Sequence, residues 1–300
     1  MPDQPDPVRV FDRALLARRR SRAAASATSH DFLLSRVADD LAERLAIVRR
    51  SFPLAANIGA HHGVVSRAIR GVAGVENVIE LDATVELLRE APGLRVAADE
   101  EALPFADASL DLAVSGLSLQ LVNDLPGALL QIRRALRPDG LLLASLLGGA
   151  TLKELRAAWI AAEAEISGGA SPRIAPFADV RDMGTLLQRA GFALPVVDSE
   201  TLTVTYPDPL ALMQEIKAMG ASNMLTARRR TPVTRGLLQR AAEIYAERFA
   251  NDSGRVPATF EILTLTAWAP DDSQPKPLRP GSAQTRLADA LGVNERKLKE

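Results

Sequence analysis

The sequence predicts an α/β protein in which helices cover both faces of a mostly parallel β-sheet. Between residues 54 and 147, short apolar stretches of strand length alternate with helical stretches, which is typical of such a sheet. The chain has 300 residues, of which 47% are hydrophobic and 24% are charged. It is therefore long enough to bury a large core, and its composition is that of an ordinary globular protein.

The first 50 residues are predicted to be helical, because apolar residues recur there every three or four positions. Five strands follow before residue 150, and helices separate most of them. The strands are predicted at residues 54–59, 77–81, 94–97, 110–115 and 140–147. The helices are predicted at residues 64–70, 83–90 and 125–136.

The second half of the chain adds two strands and a helical insertion. A helix is predicted at residues 151–166 and a loop at 168–177. A second helix is predicted after this loop and ends at Gly191. The sixth and seventh strands are predicted at 196–206 and 260–268. These elements divide the chain into the parts 1–50, 51–270 and a loosely ordered tail at 271–300; within the domain, 51–150 is the ligand-binding half and 207–256 the insertion.

Composition excludes several classes of function. The chain has no cysteine, which rules out thiolate zinc sites, iron–sulfur ligation and cysteine nucleophiles, and it has only three histidines, so no metal site is expected. The net charge of −1 gives no reason to expect a nucleic-acid partner. No apolar run reaches the roughly 20 residues of a membrane span. Because the N-terminus does not look like a leader peptide, a cytoplasmic location is expected.

A ligand loop is predicted directly after the first strand. Gly59 and Gly63 lie four residues apart, as do the first and third glycines of a Gly-x-Gly-x-Gly nucleoside loop, while Asn57 precedes them and His61 stands at the middle position. Two glycines alone are a weak signal. One of the histidines His61 and His62 is expected to line the cleft and the other to face solvent.

Acidic residues follow the next two strands. Asp82 ends the second strand, where a carboxylate can accept both hydroxyls of a ribose. Asp99 and Glu100 follow the third strand, where Asp99 is predicted to contact an adenine amino group, and Leu117 follows the fourth. Each acid alone could equally be a solvated loop residue. Their order after successive strands favours a nucleoside ligand at the carboxyl edge of the sheet.

Several segments carry a resemblance to a known family. They are VFDR at 10–13, ADEEALPF at 98–105, SLQLVNDLP at 118–126, LRPDGL at 136–141, GGATL at 148–152, SPRIAPF at 171–177, MGASN at 219–223 and VPAT at 256–259. With these the chain resembles the complex I assembly factor 5 family of arginine-hydroxylase type, within the class I methyltransferases that bind S-adenosylmethionine (SAM). It is similar, at lower specificity, to the carrier-protein methyltransferases of biotin synthesis.

The resemblance implies a Rossmann-like fold with a seven-stranded sheet, SAM as cofactor, and a protein substrate. That substrate would be an arginine on the iron–sulfur subunit of complex I near the quinone site. Tyr206, Ser222 and Asn223 are the candidate catalytic residues. Two alternatives stay open: a genuine SAM-dependent methyltransferase acting on a carboxylate or small molecule, and a non-catalytic assembly chaperone.

The chain departs from the family pattern around the expected cofactor. Asn57 replaces an acid, His61 replaces a glycine, and Gln120-Leu121 replaces a His-Trp pair. SAM affinity is therefore the least secure of the inherited properties. A basic run at residues 18–22 is either a solvated helix face or a docking surface for an acidic partner.

Overall fold

The structure is a computed structural model that describes residues 9–275 together with residues 282, 289 and 292. The predicted tail at 271–300 therefore lies largely outside the described residues. The described helices are α1 (Arg13–Ala23), α2 (Phe32–Ala46), α3 (Val64–Ile69), α4 (Val85–Leu88), α5 (Leu125–Ala135), α6 (Lys153–Ser167), α7 (Val180–Arg189), α8 (Pro209–Ala218) and α9 (Arg235–Phe249). The strands are β1 (Leu54–Ile58), β2 (Asn77–Asp82), β3 (Leu94–Ala97), β4 (Leu110–Gly116), β5 (Leu136–Leu147), β6 (Ala193–Tyr206) and β7 (Val256–Trp268).

The seven strands form one sheet in the order β3-β2-β1-β4-β5-β7-β6. The pairs from β3 through β5 are parallel, and β7 is antiparallel to both of its neighbours. The carboxyl ends of β1, β2, β3 and β4 therefore meet at one edge of the sheet. The predicted α/β fold with a seven-stranded, mostly parallel sheet is confirmed.

Helices bury both faces of this sheet. Side chains of β4 and β5 alternate between the two cores, as Leu112 and Leu141 point to one face while Ala113 and Leu142 point to the other. The first face is covered by α2, α3, α6 and α9, and the second by α5 and α7. This alternation follows from the two-residue period of strands.

Capping residues fix where many of the helices begin. The side chains of Asp12, Asp124, Asp179, Asp208 and Thr234 each accept a hydrogen bond from the backbone N–H three residues further on. Such a bond satisfies one of the free N–H groups of the first turn. The insertion is tied to the last strand by Tyr245 of α9, whose hydroxyl donates to the carbonyl of Pro257 at 2.7 Å.

Several predicted boundaries differ from the observed ones. Within the predicted helical segment, residues 9–50 contain two helices joined by a 3₁₀ segment at Ala24–Ser29. β5 begins at Leu136, because that residue pairs with Leu110 across a bulge. β7 begins at Val256, since its first residues pair with the end of β6. α4 is shorter than the predicted helix at 83–90.

No helix in the part of the chain that the structure describes is long and apolar enough to cross a membrane.

Candidate functional site

The loop between β1 and α3 is tightly packed and needs both of its predicted glycines. Gly59 has φ +70° and Gly63 has φ +79°. A Cβ at Gly59 would lie 2.1 Å from Cβ of Ser118, and one at Gly63 would lie 2.3 Å from Cδ of Pro92. Neither position tolerates a side chain without movement of its neighbours. His61 also has a positive φ, +50°, although it is not a glycine.

Asn57 lies beneath this loop. Its amide Nδ2 donates to Oγ of Ser66 at 2.9 Å and to Oε2 of Glu80 at 3.1 Å, and all three residues are fully buried. Burial raises the pKa of Glu80 above its ordinary value, although the bonds from Ser66 and Asn57 oppose the shift. Asn57 therefore links α3 to β2, and Glu80 is the buried acid of this cluster.

Asp82 is fully buried at the end of β2. Its Oδ2 accepts the backbone N–H of His61 at 3.0 Å, and its Oδ1 accepts that of Thr84 at 2.7 Å. Burial is the main cause that raises the pKa of Asp82; the nearby Arg20 opposes it and Glu100 adds to it. Asp82 thus holds the glycine loop against the start of α4.

Asp99 and Glu100 meet the first helix. Arg13 of α1 donates to Oδ1 of Asp99 at 2.8 Å and also pairs with Glu100. Glu100 is fully buried and accepts a hydrogen bond from Ser118 at 2.8 Å, and Nη1 of Arg20 lies 4.0 Å from its Oε1. Burial would raise the pKa of Glu100, but Arg13 and Arg20 outweigh it and keep the pKa below its usual value.

A cavity of about 430 Å³ opens beside these groups. Of the predicted site residues, it is lined by His61, Leu117, Ser222 and Asn223. The lining does not include the other predicted residues, which are Asn57, Gly59, Gly63, Asp82, Asp99, Glu100 and Tyr206. The cavity wall is mainly aliphatic and aromatic.

Two polar atoms on the cavity wall have no hydrogen-bond partner among the described residues. They are Nε2 of His61 and Oε1 of Gln120, and both are buried. Burial lowers the pKa of His61 well below its ordinary value, and the charge of Arg20 lowers it further. The imidazole is therefore neutral near pH 7. Buried polar atoms without partners are rare in proteins, so this end of the cavity has room for a polar ligand group.

The opposite wall of the cavity belongs to the insertion. Asn223 donates from Nδ2 to the carbonyl of Pro172 at 2.9 Å, and its Oδ1 accepts the backbone N–H of Leu225 at 3.1 Å. Its amide thus ties the insertion to the predicted loop at 168–177. Tyr206 closes β6 instead, and burial, with a smaller effect of Glu215, raises its pKa to about 12.

The sequence did not predict the positions of some residues at this site. Arg20 is 6% exposed and lines the cavity, although it belongs to a run interpreted as a solvated face or a docking surface. The expectation that one of the two loop histidines faces solvent is wrong, because His62 is 3% exposed and pairs with Asp31 at 2.9 Å. The signal available for Arg13 was its place in the VFDR segment.

Comparison with known proteins agrees with this fold. Residues 56–144 match the model of a methyltransferase domain. The solved structure of the YcgJ protein from Bacillus subtilis superposes with a TM-score of 0.55 at 15% identity, covering 78% of this chain and 98% of that one.

Sequence relatives extend over nearly the whole chain. The arginine-hydroxylase NDUFAF5 of Danio rerio is 39% identical over 95% of this chain and 91% of its own length, and that of Homo sapiens is 37% identical over 97% and 86%. The malonyl-acyl-carrier-protein O-methyltransferase of Halorhodospira halophila is 38% identical over 81% of this chain and 84% of its own length.

These names overturn one expectation. The NDUFAF5 relatives are described as mitochondrial, which contradicts the cytoplasmic location expected from the N-terminal residues. The family assignment is confirmed: on its identity and coverage, the chain belongs to the arginine-hydroxylase NDUFAF5 family, and its own fold is that of a class I methyltransferase.

Proposed function

We propose that this chain is an enzyme that binds SAM and modifies an arginine of a protein substrate, as the name of its arginine-hydroxylase relatives suggests. The observation that carries the cofactor assignment is the set of groups at one edge of the sheet. A tight glycine loop follows β1, and the carboxylates of Asp82, Asp99 and Glu100 follow β2 and β3. Ligands of open α/β sheets bind at this edge.

The residues present fit a nucleoside cofactor in kind. Asp82 would accept the ribose hydroxyls and Asp99 the adenine amino group, while Gly59 and Gly63 allow close approach of the backbone. When bound, SAM supplies an electrophilic methyl group on a sulfonium. The unpartnered atoms of His61 and Gln120 supply acceptors for a polar group at the cavity end of the site.

The proposed substrate is an arginine of the quinone-proximal iron–sulfur subunit of complex I. A guanidinium has five N–H donors and no acceptor, so it needs oxygen or nitrogen acceptors on the cavity wall. His61 Nε2 and Gln120 Oε1 are such acceptors, and Ser222 and Asn223 line the opposite wall. Hydroxylation replaces a C–H bond by C–OH, which requires an external oxygen-atom donor, with two reducing electrons if the donor is dioxygen.

A second candidate is SAM-dependent methylation of a carboxylate. Arg20 favours it, because this buried cation lines the cavity and its ion pair with Glu100 is long, at 4.0 Å. A carboxylate would satisfy the donors of its guanidinium directly. Methyl transfer needs little more than a nucleophile held in line with the sulfonium, so the chain needs no dedicated base for it.

Mass spectrometry of a substrate peptide separates the candidates. The purified protein is incubated with SAM, an oxygen donor and a peptide that contains the quinone-proximal arginine. A gain of one oxygen atom on that arginine supports hydroxylation, whereas a methyl group gained by a carboxylate substrate supports the second candidate. If neither change occurs but the gene still rescues complex I assembly in a deletion strain, the chain acts as a chaperone and both enzyme candidates fail.

The cofactor assignment has its own variant. Asp82→Asn removes a charge-assisted acceptor worth roughly 1.5–3 kcal/mol, so calorimetric affinity for SAM should fall at least about tenfold. Asp107→Asn is the matched control, because Asp107 is 67% exposed and pairs with Arg134 on the surface. Unchanged affinity in the Asp82 variant would remove Asp82 from the cofactor site.

A further inference from the structure

Helix α1 brings two cations to the carboxylates that are proposed to hold the cofactor. The side chains of Arg13 and Arg20 are 16% and 7% exposed, and both face Glu100, which is fully buried. Arg13 also pairs with Asp99 at 2.8 Å. The pair with Glu100 is well buried, so little water screens it, whereas the side chain of Asp99 is 41% exposed. Their contacts therefore fix α1 across the edge of the sheet.

The acceptors of the cleft are largely used by the protein itself. Glu100 binds Arg13 and Ser118, and Oδ1 of Asp99 accepts from Arg13 and from the backbone N–H of Glu101. Asp82 accepts two backbone N–H groups and has no exposed surface. Asp82 is thus closed to a ribose hydroxyl in this arrangement, and Arg13 competes with an adenine amino group for Asp99, whose side chain is 41% exposed.

The other side of α1 contacts the substrate-side wall. Arg19 donates from Nη1 to the backbone carbonyls of Ser222, at 2.6 Å, and Asn223. Asp12 at the start of the helix pairs with Arg228 at 3.1 Å. The backbone of Arg20 packs so closely on Gly220 that a Cβ there would lie 3.2 Å from its Cα. α1 thus connects the cofactor acids to residues 220–228.

We propose that α1 is a displaceable strap, and that cofactor binding and the docking of Arg13 and Arg20 exclude one another. When the cofactor takes its acceptors, α1 releases and the contacts to residues 220–228 loosen with it. Coupling of this kind is reciprocal, so a substrate that loosens the contacts between α1 and residues 220–228 increases the affinity for the cofactor. The inference rests on the proposed cofactor, and its tests are chosen to separate the two.

The first test measures calorimetric binding of S-adenosylhomocysteine to a double variant, Arg13→Gln with Arg20→Gln. Removing the competing cations should tighten binding at least fivefold relative to the unaltered protein. The matched control is Arg18→Gln with Arg22→Gln, because those two arginines lie on the same helix and are exposed. Equal or weaker binding in the first variant, with the control unchanged, would overturn the strap.

The second test uses the unaltered protein and does not depend on the variants folding. Hydrogen exchange is followed with and without S-adenosylhomocysteine. We expect the ligand to speed exchange in α1 and at residues 220–228 while it protects the loop at 59–63. Binding without faster exchange in α1 overturns the strap alone. No binding to either the unaltered protein or the Arg13/Arg20 variant overturns the strap and the SAM assignment together.

Discussion

Gly59 has two independent reasons to lack a side chain, its positive φ and its contact with Ser118. Gly71 isolates the first reason, because it has φ +79° but no described atom lies within 4 Å of the place a Cβ would occupy. We expect Gly59→Ala to lower the free energy of unfolding by about 1–3 kcal/mol more than Gly71→Ala, which is the usual effect of overpacking. Urea unfolding of both variants measures the difference. Equal losses would mean that Ser118 moves away freely.

His61 gives the protein a specific dependence on pH. Its pKa is lowered in the folded state, mainly by burial and to a smaller extent by the charge of Arg20. The imidazole therefore takes up a proton near pH 6.5 in the unfolded chain but stays neutral in the folded protein. Above pH 6.5, His61 therefore does not reduce the free energy of unfolding. Below pH 6.5, its effect lowers that free energy by at most about 1.4 kcal/mol per pH unit.

The matched variant is His61→Asn, because asparagine tolerates a positive φ and does not titrate in this range. Urea unfolding between pH 7.5 and 5 should show a steeper loss of stability for the unaltered protein than for the variant. Parallel curves would show that the imidazole is protonated in the folded protein.

The sequence predicted that acids stand at the ends of β2 and β3, but not which residues pair with them. Asp82, Asp99 and Glu100 follow from the rule that ligands bind at the carboxyl ends of parallel strands. Arg13 is 86 residues distant from Asp99 along the chain, and no local pattern reports a contact over that separation. Because Arg13 pairs with Asp99 and Glu100 only in the folded chain, the surroundings of these acids could not be predicted from the motifs.

At the scale of elements, the arginines of the basic run in α1 have different surroundings. Arg18 and Arg22 are exposed, whereas Arg19 binds backbone carbonyls of the insertion and Arg20 lies in the cavity. Neighbouring positions on a helix point about 100° apart, so consecutive arginines necessarily face different surroundings. The composition of the run could not show which face meets the protein.

Asn223 connects two elements and should contribute to stability. Asn223→Ala removes its bonds to Pro172 and Leu225, and each such bond contributes about 0.5–1.5 kcal/mol. Thermal unfolding should therefore show a clear loss of stability. Ser222→Ala is the control, because Arg19 contacts the backbone carbonyl of Ser222, which that change keeps. If the Asn223 variant is as stable as the control, its amide is free to serve the substrate.

The last two strands, β6 and β7, are longer than the sequence predicts. β6 and β7 pair from Ala193–Trp268 to Tyr206–Val256, which is longer than either apolar pattern indicates. The residues missed at the strand ends are 193–195 and 256–259, and each stretch contains a proline, which weakens a strand pattern although the backbone pairing continues. A strand's partner, which the local pattern does not contain, sets its length.

At the scale of the whole molecule, the sheet separates two cores that should respond independently to mutation. Ile244 of α9 lies in one core and Ile132 of α5 in the other, and both are essentially inaccessible. Ile→Val at each site should lower the free energy of unfolding by about 0.5–1.5 kcal/mol. The double variant should equal the sum within about 0.5 kcal/mol in urea unfolding. A larger deviation would reveal coupling through the sheet.

The overall fold was the most predictable property of the chain. The alternation of strands and helices before residue 150 depends on local periodicity, and each predicted strand is present. The position of the first helix depends on contacts with residues 99–100 and 220–228, which come together only in the folded chain. Local patterns therefore predicted the sheet, while the closure of its carboxyl edge required the tertiary structure.

The outermost strand β6 has a consequence for self-association. No strand in the described part of the chain pairs with its outer edge along Ala193–Tyr206, and Val196 is 51% exposed. Such an edge is a template on which a strand of another molecule can add. Two acids on β6, Asp198 and Glu200, pair with Arg44 and Arg36 of α2 and place charge beside this edge. High salt weakens these exposed ion pairs, which then hold the charged side chains beside the edge less firmly, so concentrated protein should aggregate through β6 sooner at high ionic strength than at low.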